Sequence, residues 1–313
     1  MFRRTAGKTV YWHGMPEKKL IVVAGPTAVG KTAVAIRLAE RYETSVISAD
    51  SRQFYREMNI GTAKPSQEEL ARVPHHFVNS HSIADDYDAA TYAADVDNLL
   101  PELFQKKDYV LMCGGSGLYI KAVCEGFDDM PDVPEEIRQN LIAAFEEHGI
   151  GWLQEKMREL DPEAFAVLDQ QNPHRLIRAL EVRIASGRSI LSFRTHQRRQ
   201  HPFTIKKIAL ALPREELYAR IDLRMDKMIE TGLFEEARSL YKWREKNALQ
   251  TVGYQEIFDM MDGLYNEEEC IRLLKRNSRR YAKRQLTWFR RDTEFAWFHP
   301  DDIPGMITYI EAP

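Results

Sequence analysis

No stretch of the chain approaches the roughly 20 consecutive apolar residues that a membrane-spanning helix needs, and the opening residues MFRRTAGKTVYWHG lack the apolar centre of a secretory signal. No membrane partner is therefore expected. Cysteine is scarce: Cys113, Cys124 and Cys270 are odd in number and form no C-x-x-C pair, which argues against a disulfide framework and a zinc site. A reducing, cytoplasmic setting fits best. A strong charge of either sign is also missing, the formal balance being −3, so bulk composition alone does not suggest a nucleic-acid partner. With no internal repeat, low-complexity tract, heptad pattern or exposed apolar stripe, a monomer is the default. One absence is local. Between Arg272 and Arg291 there are nine Lys and Arg and no acidic residue.

What the sequence does have is an uninterrupted G-x-x-x-x-G-K-T, Gly25-Pro26-Thr27-Ala28-Val29-Gly30-Lys31-Thr32, directly after the apolar run Leu20 to Ala24. A strand that delivers such a loop into a helix makes a phosphate cradle. The loop N–H groups surround a polyphosphate and the helix directs the positive end of its dipole at the same charge. Lys31 would neutralise the terminal phosphates and the Thr32 hydroxyl would hold Mg²⁺. A bare glycine-rich turn would not require Lys and Thr after its last glycine. A second GKT, Gly7 to Thr9, has no preceding strand and no first glycine at the right spacing, and residues 1–14 read as irregular and dispensable.

Apolar strand-like runs at Leu20 to Ala24, Ser45 to Ala49 and Tyr109 to Cys113 alternate with helical patterns, which predicts a parallel sheet with helices on both faces. Around Gly126 the character changes. The turn-rich FDDMPDVP leads into consecutive helices: Pro134 opens one carrying Ile137, Leu141, Ile142 and Phe145, and Pro173 opens another carrying Leu176, Ile177, Leu180 and Ile184. A strand pattern returns at Ile205 to Leu212. The expected fold class is thus α/β, a P-loop parallel-sheet core with an inserted all-helical domain. Its boundaries are 1–126 for the first part of the core, 127–200 for the insertion and 201–313 for the second part with basic C-terminal helices.

Asp50 stands at the C-terminal end of the second strand, the edge at which open α/β sheets bind ligands. It can be read as a Mg²⁺-holding carboxylate, as a general base, or as a cap of the next turn. Gly114 to Tyr119, GGSGLY, should line the crevice from the other side, although such a segment is often only a tight turn. The basic segment places Ile271, Leu274, Ser278, Tyr281, Gln285 and Trp288 on one helical stripe, with Arg272, Arg276, Arg279, Arg280 and Lys283 elsewhere. So many like charges without a counter-charge suggest a polyphosphate or RNA, as does FRTHQRRQHPF, Phe193 to Phe203. His75 and His76 are adjacent and read as loop or core residues, not metal ligands.

Taken in order, GPTAVGKT, ISADSRQFY (Ile47 to Tyr55), MNIGTAKP (Met58 to Pro65), VPHHF, GGSGLYI, PHRLIRALEV, ARIDLRMDKM (Ala219 to Met228), ALQTVGYQE (Ala248 to Glu256) and RQLTWFR resemble the bacterial tRNA dimethylallyltransferases. The resemblance spans nearly everything after Met15; Ser116 stands where Thr is common, and Phe54 where an aliphatic residue is. It implies transfer of a dimethylallyl group from dimethylallyl diphosphate to N6 of the adenosine 3′ of the anticodon, with Mg²⁺ as cofactor and the anticodon stem-loop of tRNA as partner. Asp50 would be the base and Thr27 would contact the reacting end of the diphosphate, while Arg220 or Arg224 would hold pyrophosphate, the choice staying open. Asp50, Ser51, Arg52 and Gln53 would grip the target nucleotide, Ser116 and Arg138 would touch the RNA, and Arg175 and Arg178 would contact the stem-loop. Three other readings share the phosphate loop: a P-loop kinase, a nucleotide-dependent RNA-binding protein without catalysis, and an adenylate isopentenyltransferase acting on free AMP or ATP.

Overall fold

Lys19–Ala24 forms β1, every residue of which is buried. It lies between two parallel neighbours, pairing along its whole length with Tyr109–Gly114 on one side and Thr204–Leu210 on the other. This central position is why the segment reads as a continuous apolar run and not as an alternation. Side chains still divide by period two, Leu20, Val22 and Ala24 entering one core and Ile21 and Val23 the other. The computed structural model describes residues 17–195 and 198–313; residues 1–14, expected to be irregular, with their second GKT, and His196 and Gln197 of the second basic stretch lie outside them.

After β1 come α1 (Lys31–Arg41), β2 (Val46–Ser48), α2 (Gln67–Arg72), β3 (His75–His76), α3 (Ala89–Lys106), β4 (Tyr109–Gly114) and α4 (Gly117–Glu125). Four helices follow: α5 (Glu135–His148), α6 (Ile150–Leu160), α7 (Pro162–Val167) and α8 (Pro173–Ser186). The chain then forms β5 (Thr204–Leu210), α9 (Arg214–Glu230), α10 (Leu233–Leu240), α11 (Gln255–Met261), α12 (Glu267–Phe289), β6 (Ala296–Phe298) and α13 (Ile303–Glu311). Among the described residues the six strands are all parallel, in the order β3-β2-β4-β1-β5-β6. β3 and β6 were not expected from the sequence, since edge strands of two and three residues are too short to show a period. β3 makes strand partners of His75 and His76, whose rings bond Val73 O (2.8 Å) and Ser45 Oγ (3.2 Å).

The described residues up to Glu125 form one compact unit with Gln200–Pro313, and Gly126–Arg199 forms a second. In the second unit α5 ends at Gly149 (φ +76°), and α8 starts at Pro173 after Asn172, whose side chain caps the Arg175 N–H, and ends at Gly187 (φ +71°). Its core is built on Leu153, Met157, Leu176 and Leu180. Ile184, expected on the buried stripe of α8, is exposed, and Val182 is buried instead.

In α12 the buried positions are Cys270, Leu274, Ser278, Ala282, Gln285 and Phe289, so the stripe drifts to Phe289 and leaves Trp288 partly exposed. Over 23 residues a row that alternates steps of three and four falls behind the 3.6-residue period, and the buried row takes more steps of four. The basic face is also not without counter-charges, because α9 supplies them. Arg279 pairs with Asp222 (2.5 Å) and Lys275 with Asp226 (2.5 Å), while Arg272 pairs with Glu269 one turn back. Sequence distance hides these partners; packing of α12 on α9 reveals them. Among the described residues no helix is long and apolar enough to cross a membrane.

Candidate active site

The loop from Gly25 to Thr32 emerges from the carboxyl end of β1. Gly25 has φ +147° and a Cβ there would lie 2.9 Å from Leu210 O, so close approach of β5 and backbone conformation both demand glycine. Gly30 (φ +103°) caps α1 without a side-chain hydrogen bond, and no acidic residue occupies the first turn. The leading N–H groups of α1 are left for a ligand and the dipole favours an anion. Lys31 turns its ammonium back onto Pro26 O at 2.7 Å. Burial pushes it down to about 8, with Cys113 and Asp50 acting in the opposite sense.

Among the described residues of the first unit, two cavities adjoin this loop. One, of about 360 Å³, is lined by Thr27, Ala28, Gly30, Lys31, Thr32, Asp50, Gln53, Lys64 and Arg224 among others. The second, of about 340 Å³, is lined by Ser51, Arg52, Tyr281 and Arg284, with Met225, Met228, Leu233 and Val252 as its apolar wall. Thr27, Asp50, Thr62 and Arg224 belong to both linings. The first cavity is polar and cationic, and the second is part apolar, part hydrogen-bonding.

Asp50 follows β2, and its Oδ1 accepts the Arg52 N–H at 3.0 Å, so the turn-capping role is realised. Its other oxygen has no hydrogen-bond partner among the described residues and belongs to a side chain that lines both cavities. The Ser51 N–H donates to Ser116 Oγ (2.8 Å), and that hydroxyl donates to Ser51 Oγ (3.1 Å). Ser116 therefore steadies the Asp50 turn; it lines neither cavity. Gly114 must be glycine, since a Cβ would stand 2.0 Å from Ala49 O where β4 passes β2. Arg52 presents a buried Nε with no partner among the described residues, a donor that a ligand acceptor in the second cavity would satisfy.

The two arginines of α9 part company. Arg224 donates to Thr27 Oγ1 and lines both cavities; burial lowers it from its ordinary value while Asp50 opposes that, and it stays charged. Arg220 pairs with Glu216 (2.8 Å) and lines neither, although it flanks Gly30. In the second unit Arg138 (3.2 Å) and Arg178 (2.5 Å) both reach Glu181, a buried carboxylate, and Arg175 is exposed.

A family model described as IPP transferase matches residues 53–292. This chain belongs to the IPP transferase family. It is 53% identical over 295 residues to a tRNA dimethylallyltransferase of Cytophaga hutchinsonii, covering 94% of this chain and 97% of that one. It is 47% identical over 298 residues to tRNA dimethylallyltransferase 1 of Bacteroides fragilis, covering 95% and 99%. Among solved structures, a tRNA isopentenylpyrophosphate transferase of Bacillus halodurans superposes with a TM-score of 0.69 at 38% identity, covering 94% of this chain and 95% of that one.

Several residues that shape the site of this IPP transferase were not singled out as functional from the sequence. Gln285, read as part of an apolar stripe, accepts the Thr27 N–H (2.8 Å) and donates to Gly115 O (2.9 Å), tying the phosphate loop to the glycine turn. The one amide on a mostly apolar stripe was the available signal. Tyr281 lines the second cavity and is pushed up to about 12 by burial and by the Asp50 charge, so its hydroxyl stays protonated. Thr62, Ala63 and Lys64 of MNIGTAKP form the wall facing the phosphate loop, which no periodicity could have indicated.

Proposed function

We propose that this protein transfers a dimethylallyl group from dimethylallyl diphosphate to N6 of the adenosine just 3′ of the anticodon in tRNA, releasing diphosphate. The observation that carries this reading is the shared lining of the two cavities. A cationic phosphate cavity meets a part-apolar one at Thr27, Asp50 and Arg224, which suits a reaction whose leaving group is an anion and whose acceptor is a base. Loop N–H groups, Lys31 and Arg224 stabilise the charge that develops on the departing diphosphate. Thr27, held by Arg224, stands at the boundary where the allyl carbon leaves oxygen for nitrogen. The N6 amine is a poor nucleophile because its lone pair is delocalised into the purine. Its proton must leave as the new bond forms, and the open oxygen of Asp50 takes it.

The apolar wall of Met225, Met228 and Val252 suits the dimethylallyl group and the purine face, while Ser51, Arg52 and Gln53 offer polar groups to the nucleotide. An adenine stacked in a loop has to swing out to enter. The donor set fits Mg²⁺. Thr32 and Asp50 present hard oxygens to the phosphate cavity, and among the described residues there is no cluster of three His, Cys, Asp or Glu. The ion would therefore take most of its ligands from diphosphate and water. When bound it adds positive charge beside the leaving group. Arg138, Arg175 and Arg178 of the helical unit are assigned to the anticodon stem-loop, with a cytoplasmic monomer as the working form.

The test is incubation with labelled dimethylallyl diphosphate, comparing unmodified tRNA, AMP and ATP as acceptors. Label in tRNA with stoichiometric diphosphate release is the expected result. Label in AMP or ATP alone would make the protein an adenylate prenyltransferase, and phosphoryl transfer from ATP would make it a kinase.

A further inference from the structure

The wall formed by MNIGTAKP has no regular secondary structure, yet Gly61, Thr62, Ala63 and Lys64 contribute to one or both cavities. What holds it is one carboxylate. Glu236 on α10 accepts the consecutive N–H groups of Asn59 (2.9 Å), Ile60 (2.8 Å) and Gly61 (3.0 Å), and also the hydroxyl of Tyr254 (2.6 Å). Successive N–H groups converging on one point form an anion-binding nest, and here the chain fills the nest with its own anion. Tyr254 is fully buried, and a Cβ at Gly61 would come within 2.6 Å of its ring, so the latch also needs glycine at that position. Beyond the latch, Thr62 O and Ala63 O accept the Gln53 amide (3.3 and 3.2 Å), and Gln53 accepts the Ser48 hydroxyl (3.2 Å) just before Asp50. Lys64 is tied down by Tyr55 O, Asn59 Oδ1 and Asn79 Oδ1.

From this geometry we infer that Glu236 is a positioning residue, holding the shared wall of the two cavities in register with Asp50 through residues 59–63 and Gln53. The inference rests on the prenyl-transfer reading, in which misplacement of the wall disturbs acceptor alignment more than diphosphate binding. The diphosphate is gripped from the other side, by the phosphate loop and Arg224.

Three variants test it: Glu236→Ala removes the latch, Glu236→Gln keeps one carbonyl acceptor, and Tyr254→Phe removes a single donor. For Glu236→Ala, amide hydrogen exchange of Asn59, Ile60 and Gly61 should accelerate, and kcat for tRNA prenylation should fall about tenfold to a hundredfold. KM for dimethylallyl diphosphate should stay within about threefold, since the loop from Gly25 to Thr32 and Arg224 are untouched and Lys64, the cation that this wall lends to the first cavity, keeps its bonds to Tyr55 O and Asn79 Oδ1. Glu236→Gln should lie between Glu236→Ala and the parent, and it carries the test if Glu236→Ala does not fold. Tyr254→Phe should give the smallest effect. Unchanged exchange at residues 59–61, an unchanged kcat, or KM rising in step with the loss of kcat would overturn the assignment. If the parent protein prenylates no tRNA, the functional reading fails on its own, and the exchange measurement still decides whether Glu236 holds the loop.

Discussion

Replacing Asp50 by Asn separates the two duties that the structure gives this side chain. Oδ1 caps the turn through the Arg52 N–H, and the other oxygen is available to a substrate. An asparagine keeps an acceptor of the same shape for Arg52, so the turn that also carries Ser51 should persist, while basicity is lost. General-base assistance contributes roughly a hundredfold to ten-thousandfold, equivalent to about 3 to 5 kcal/mol of barrier. Single-turnover transfer of labelled dimethylallyl to tRNA should slow by that factor. Diphosphate affinity, measured by calorimetry with a non-reactive thiolo analogue, should hold or tighten, because a negative charge has been removed from the lining of an anion cavity. Asp50→Ala should lose the cap as well, a further stability loss of about 1 to 3 kcal/mol read from thermal unfolding. Two results would refute the reasoning. Turnover of Asp50→Asn within threefold of the parent would remove the base, and diphosphate binding weakened tenfold or more would make Asp50 chiefly a metal-site carboxylate.

Lys31 sits at about 8 in the free protein, and a bound diphosphate keeps its ammonium charged, so binding above that pH must take up a proton. Diphosphate affinity is expected to be flat below pH 8 as far as Lys31 is concerned, and to weaken by about tenfold per unit above it; a pH series of the binding constant checks this. Gln285→Ala leaves the Thr27 N–H and Gly115 O without their partner, at about 1 to 3 kcal/mol each. Thermal unfolding should show the loss, and KM for dimethylallyl diphosphate should rise with it. Arg175→Ala should weaken tRNA binding and reduce the magnitude of its salt slope by about one, with diphosphate binding unchanged. Filter binding across a salt series reads it directly, and an unaltered slope would take Arg175 out of the RNA site.

The phosphate loop, the alternation of strands and helices, and the helix limits set by Pro134, Gly149, Pro173 and Gly187 were legible because each depends on neighbours within a few residues. Local sequence thus determined that a parallel sheet presents the glycine-rich loop from Gly25 to Thr32 at the end of β1, with Asp50 at the corresponding end of β2. The edge strands β3 and β6 escaped notice, since two or three residues carry no period. Neither the bond from Arg224 to Thr27 that sets it apart from Arg220, the bridge through Gln285, nor the Glu236 latch could be read in advance. Each includes a hydrogen bond between residues at least 170 positions apart, and hydrogen bonds are short and directional, so such partnerships exist only once packing has brought α9, α10 and α12 against the loops. The same limit applies to the acidic partners of the basic helix: pattern along a chain reports which face is charged, and three-dimensional packing alone reports what that face meets.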